Sequence, residues 1–84
     1  MSELDLNTIE VSSTVDARGS ACPGPLLEAK KGIGKVKVGE ILEIYSSDSG
    51  TRQDIPVWAK KVGHEYLGHL ETDGYDKLFV RRKK

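Results

Sequence analysis

An 84-residue chain holds one domain around one modest core, because small chains bury a smaller share of their surface. Thirteen basic and thirteen acidic side chains balance to formal neutrality. That balance excludes the overall field behind broad nucleic-acid or membrane binding and leaves partners to be recognised locally. A single cysteine excludes an internal disulfide and a multi-cysteine zinc site, and no apolar run has the length of a signal peptide or membrane span; a reducing, cytoplasmic location is the expectation.

Met1 to Thr8 is polar apart from Leu4 and Leu6 and has no clear period, which predicts a flexible N-terminal tail ahead of a single domain over residues 9–84. The β-branched residues Ile9, Val11, Thr14 and Val15 predict a first strand from Ile9 to Asp16, with Ser12-Ser13 interrupting strict alternation. Asp16 to Ala21 is then a loop leading to Cys22-Pro23-Gly24-Pro25. Each proline fixes φ near the helical value and lacks an N–H, which suits the first turn of a helix. The position before a proline is pushed toward extended conformations, so Cys22 belongs to the turn, and the helix starts at Pro23 or Pro25. The sulfur therefore stands beside the positive end of a helix macrodipole, a setting that favours thiolate or persulfide. The bland reading of a lone cysteine is a small buried hydrophobe; the prolines and the following helix favour the reactive reading. Arg18 reads equally well as a site cation or as a solvated side chain.

Leu26, Ala29, Ile33 and Val36 recur at helical spacing, with Lys30, Lys31 and Lys35 on other faces. The helix is expected to run to about Gly34, although Gly32 and Gly34 each cost it about 1 kcal/mol relative to alanine. Ile41 to Ser46 alternates as a second strand, with Leu42 and Ile44 facing the core. Thr51 and Asp54 resemble a capping box for a second helix, in which Pro56 is tolerable near the first turn. Ile55, Trp58, Ala59 and Val62 form its apolar stripe and Gly63 its stop; Trp58 on that stripe reads as core. His64 to Thr72 and Lys77 to Arg82 read as a hairpin through Asp73-Gly74. Leu78 and Val80 face the helices, Leu67 is the core candidate of the third strand, and Gly68 marks a bulge. The order β-α-β-α-β-β predicts an α/β two-layer sandwich, two helices packed on one face of a four-stranded mixed sheet.

His64 and His69 fall on opposite faces of a strand and lack further ligands at suitable spacing, so no metal site is expected. A Cys22–His64 dyad would need opposite ends of the two helices to meet. Arg81-Arg82-Lys83-Lys84 raises a nucleic-acid module as an alternative, weakened by the scarcity of aromatic side chains for stacking. A single-cysteine thiol redox protein is a further alternative, although the chain has no resolving thiol.

Asp16-Ala17-Arg18-Gly19, Cys22-Pro23-Gly24-Pro25, Lys30-Lys31, Gly39-Glu40, Asp54-Ile55-Pro56 and Gly63-His64-Glu65 occur in order from about Val15 to Arg82. In this the chain resembles the TusA (SirA-like) family of sulfur carriers. The resemblance implies that Cys22 accepts sulfane sulfur as a persulfide, or a thiosulfonate, and relays it between proteins. The donor would be a cysteine desulfurase or rhodanese-like protein. The acceptor would be a DsrE-like protein or a tRNA thiolation enzyme. The pathways implied are tRNA thiolation, molybdenum-cofactor supply or dissimilatory sulfur oxidation. It further implies docking or electrostatic roles for Arg18, Lys30, Asp48 and Asp54, no cofactor, no membrane, no stable nucleic-acid binding, and a monomer. For Asp48 and Asp54 the plain alternatives are a turn-former and a helix cap. Ser20 stands where the family often has an apolar residue, and Gly24 makes the helix start more flexible than a larger residue would.

Overall fold

Alternating apolar residues in β2 (Ile41–Ser46) and β4 (Tyr75–Arg81) set the architecture. The two strands pair antiparallel with Leu42 opposite Val80 and Ile44 opposite Leu78, so one face of the central ladder is a continuous aliphatic surface. The computed structural model describes residues 9–19 and 24–84; the expected tail over residues 1–8 lies outside them. β1 (Ser13–Asp16) lies parallel to β2, and β3 (Glu65–Thr72) lies antiparallel to β4, giving the order β1-β2-β4-β3. A parallel pair needs a crossover connection, and α1 (Gly24–Ile33) supplies it. Together with α2 (Thr51–Val62) it covers the aliphatic face. Ala29 and Ile33 of α1, Val36 beyond its end, and Ile55, Trp58 and Ala59 of α2 pack there on Leu42, Ile44, Leu78 and Val80. The chain is thus an α/β two-layer sandwich of β-α-β-α-β-β order.

Gly32 is placed by packing. A Cβ on it would stand 2.7 Å from Val15 Cγ1 and 3.1 Å from Leu42 Cδ1, so the residue that weakens α1 intrinsically also lets it sit close to β1 and β2.

Several expectations are corrected. β1 begins at Ser13 rather than Ile9. Ile9 and Val11 instead line a cavity of about 340 Å³ on the helix-free face with Glu43, Tyr45, Leu70, Lys77 and Phe79; there Phe79 is only 1% exposed. Leu67 is half-buried while Tyr66 packs against the core, because the register slips between Tyr66 and Gly68 and the extra residue changes which side chain faces inward. The bulge itself falls where Gly68 suggests. Val62, the last residue of the α2 stripe, is 41% exposed.

The capping box is not formed, since Gly50 is the N-cap and Thr51 already lies in the helix. The Thr51 hydroxyl is buried instead against Ser46 Oγ at 2.7 Å. Pro56 lies past the first turn, where it cannot donate to the Arg52 carbonyl. At the other end Gly63 is left-handed, φ +89°, and the Gly63 and His64 N–H groups bond to the Lys60 and Ala59 carbonyls. This is a Schellman closure.

Candidate functional site

The segment expected to carry the chemistry, including Cys22 and Pro23, lies outside the described residues. Its two flanks are described. On one side α1 begins at Gly24, with Pro25 second in the helix and buried. Its first turn carries no acidic side chain, so no carboxylate in that turn offsets the positive end of its dipole. On the other side the loop after β1 is bonded at each residue. The Ala17 N–H donates to the Tyr45 carbonyl at 2.9 Å, the Arg18 N–H to Asp16 Oδ1 at 3.1 Å, and the Gly19 N–H to Ser47 Oγ at 2.9 Å. Gly19 takes φ +86°, which favours glycine there.

Arg18 does not reach toward the helices. Its Nε and Nη2 donate to Asp16 Oδ1 and Oδ2 at 2.8 and 2.7 Å, a bidentate fork. Its guanidinium lies 4.7 Å from the Tyr75 ring centroid and 5.3 Å from that of Tyr45. The Arg18 side-chain hydrogen bonds, helped by its backbone N–H, hold the Asp16 carboxyl down to about 2. The guanidinium is raised in turn, first by the bond to Asp16. Asp48 sits in the turn between β2 and α2: its Oδ1 accepts the Gly50 N–H at 3.0 Å and its carbonyl accepts the Thr51 N–H. That is the turn-forming role.

Lys30 and Asp54 are brought together. They line one groove of about 340 Å³ between α1 and α2, with Leu26, Gln53, Val57, Trp58 and Lys61. Val57 is 62% exposed at its edge, while Trp58 is 7% exposed and forms part of the core. Arg18, on the other side of the sheet, does not belong to this groove. Sequence reading missed Leu26, Val57 and Lys61 as groove residues, although their spacing of three and four on known helices was the available signal. It also missed Tyr45, Ser47 and Tyr75, which only the strand register brings beside Arg18.

His64 is occupied elsewhere. Its Nδ1 accepts the Lys83 N–H at 3.1 Å, and its ring stands edge-on to Trp58 with centroids 5.8 Å apart. Burial, then the nearby Arg82 and Lys84 charges, push its pKa down. The basic residues at the end of the chain are also engaged: Arg81 pairs with Glu65 at 2.9 Å, and Arg82 donates to the Val36 and Lys84 carbonyls. Among the described residues no three of His, Cys, Asp and Glu converge as a metal site.

A family model described as sulfurtransferase TusA matches residues 13–82. The chain belongs to the TusA family. A protein of Archaeoglobus fulgidus, named as a candidate sulfur carrier, is 47% identical over 70 residues, covering 83% of this chain and 96% of its own length. Sulfur carrier protein TusA of Pseudomonas entomophila is 35% identical over 71 residues, 84% of this chain and 89% of its own. The crystal structure of a SirA-like protein from Desulfitobacterium hafniense superposes with a TM-score of 0.74 at 26% identity. That alignment covers 86% of this chain and 99% of the other. The TusA match includes Cys22 and both described flanks.

Proposed function

We propose that this protein is a sulfur carrier whose Cys22 thiolate attacks the outer sulfur of a donor persulfide. An S–S bond forms to Cys22 as the donor's own S–S bond breaks, and the donor leaves as a thiolate. An acceptor thiolate then takes the outer sulfur and returns Cys22 to thiolate, so no external oxidant or reductant is consumed. The observation that carries the reading is the start of α1 at Gly24, immediately after Cys22-Pro23, with no acid in its first turn. A helix N-terminus of this kind lowers the energy of an adjacent sulfur anion. Membership of TusA and the names of its relatives support the same reading.

Residues 9–84 act in this reading as a single monomeric domain in the cytoplasm. The helical groove with Lys30 and Asp54 receives the donor, a cysteine desulfurase or rhodanese-like protein, and the acceptor, a DsrE-like protein or a tRNA thiolation enzyme. α1 and α2 carry Lys30, Lys31, Arg52, Lys60 and Lys61 against Glu28 and Asp54, whereas the strands carry Asp16, Glu43, Glu65, Glu71 and Asp76 against Lys77 and Arg81. A neutral chain therefore presents a basic helical face, suited to an acidic partner surface. The inward bonding of Arg81 and Arg82 argues against a nucleic-acid arm. Asp48 acts through its turn.

Intact-protein mass spectrometry tests the proposal. After incubation with a sulfane-sulfur donor, the wild type gains one sulfur atom that mild reductant removes, and Cys22→Ala gains none. Equal gain on both, or none on the wild type with several donors, would overturn it.

A further inference from the structure

Arg18 is held in a way that a docking cation does not require. Its guanidinium plane is fixed by the two-bond fork to Asp16 and lies against Tyr75 and Tyr45, whose ring centroids are 5.3 Å apart at 58°. Tyr45 belongs to β2 and Tyr75 opens β4 after the hairpin. The side chain thus ties the loop after β1 to two strands of the sheet. Two backbone bonds run beside this tie, from Ala17 to the Tyr45 carbonyl and from Gly19 to Ser47 Oγ, and Ala17 is 2% exposed. A lysine would preserve the charge and lose both fork and stack.

We propose that Arg18, clamped by Asp16 and stacked on Tyr45 and Tyr75, is a positioning residue that fixes the Gly19 end of the segment carrying Cys22 and thereby sets the reactivity of the thiol. This rests on the reading of Cys22 as a reactive thiol. Four residues separate Gly19 from Gly24, and buried Pro25 anchors the far end. Displacing a reacting group by about 1 Å can cost about a hundredfold in rate. The role differs from that of Lys30, which lines the helical groove.

The test is the rate of Cys22 alkylation by iodoacetamide as a function of pH, a probe that needs no protein partner. Arg18→Gln, Arg18→Lys and Tyr75→Leu are expected to slow alkylation about tenfold and displace the midpoint of its pH profile. Tyr75→Phe, which keeps the ring, retains the wild-type profile. Ile55→Val, a core variant that lowers the unfolding midpoint without touching the clamp, serves as the control for general loosening and leaves the profile in place. An Arg18→Gln profile that superimposes on wild type overturns the proposal, as does full rescue by Arg18→Lys or an equal shift in Ile55→Val. Sulfur loading measured in parallel separates the two readings. A wild type that takes up no sulfur while Arg18→Gln alters alkylation removes the carrier and keeps the positioning role; normal loading with an unaltered alkylation profile does the reverse.

Discussion

At the scale of single residues, charge is placed according to the partners it finds. Arg18 and Arg52 are both half-exposed arginines, yet each is committed: Arg18 to Asp16, and Arg52 to Asp76 at 2.7 and 3.0 Å, with Asp76 only 5% exposed. Neither is a loose surface cation. His64 shows the same commitment in a group that titrates near neutrality. The fold holds it neutral, because protonation would place a cation beside Arg82 and Lys84 and end its acceptance of the Lys83 N–H. Its folded pKa lies below the ordinary 6.5, so between the two values the unfolded chain binds more protons and stability rises with pH. The contribution is fully present above 6.5 and is lost as pH falls through the folded value. Urea midpoints measured between pH 8 and pH 5 are expected to fall more for wild type than for His64→Gln; parallel curves would show that His64 does not carry the effect.

At the scale of elements, α1 trades intrinsic helix stability for closeness to the sheet. Gly32→Ala gains about 1 kcal/mol in helix propensity, but the new methyl meets Val15 Cγ1 at 2.7 Å and Leu42 Cδ1 at 3.1 Å. Overpacking of that kind costs about 1–3 kcal/mol, so the net expectation is a loss of about 1 kcal/mol. Gly34→Ala is the comparison, because its Cβ would meet only the Lys31 carbonyl at an ordinary 3.5 Å. Denaturant titration of both variants checks this, and a Gly32→Ala protein as stable as wild type would remove the close-approach explanation. β3 illustrates the opposite limit of sequence reading. The glycine marking its bulge is visible at position 68, but whether Leu67 or Tyr66 then turns inward depends on the register with β4. The sequence offered Leu67 as the core candidate, and the bulge turned Tyr66 inward.

At the scale of the whole molecule, a net charge of zero conceals a polarity. The helical layer is basic and the strands are acidic, so formal neutrality excludes less than composition suggests: one face has a field although the chain as a whole has none. If donor and acceptor dock on the helical groove, sulfur transfer between proteins falls as ionic strength rises, and Lys30→Glu with Lys61→Glu lowers the association rate about tenfold at low salt. Stopped-flow transfer measured across a salt series checks this; a salt-independent rate would place the docking surface elsewhere. No helix among the described residues is long and apolar enough to cross a membrane.

Local rules by themselves determined much of this protein. Apolar periodicity placed β2 at its observed bounds and α2 by its stripe and its C-terminal stop, because neither needs a distant partner to be recognised. Gly63 closes α2 for the same reason, and the hairpin at Asp73-Gly74 is local chemistry too, with positive φ at Gly74. The sequence motif around Cys22 pointed to TusA, and the family match covers it. Tertiary structure decided what depends on residues far apart in the chain. Thr51 is an intrahelical residue bonded to Ser46 rather than a cap, because its hydroxyl meets a buried partner from β2. Ile9 and Val11 lie ahead of β1 and line a cavity with Phe79 on the helix-free face, a placement set by the sheet rather than by their own β-branching. Lys30 and Arg18, alike in charge, stand on opposite sides of the sheet: Lys30 lines the groove between the helices, whereas Arg18 stacks on Tyr45 and Tyr75 of the helix-free face. Charge and spacing can be read along the chain, whereas the face on which a charge acts is set only when the strands pair.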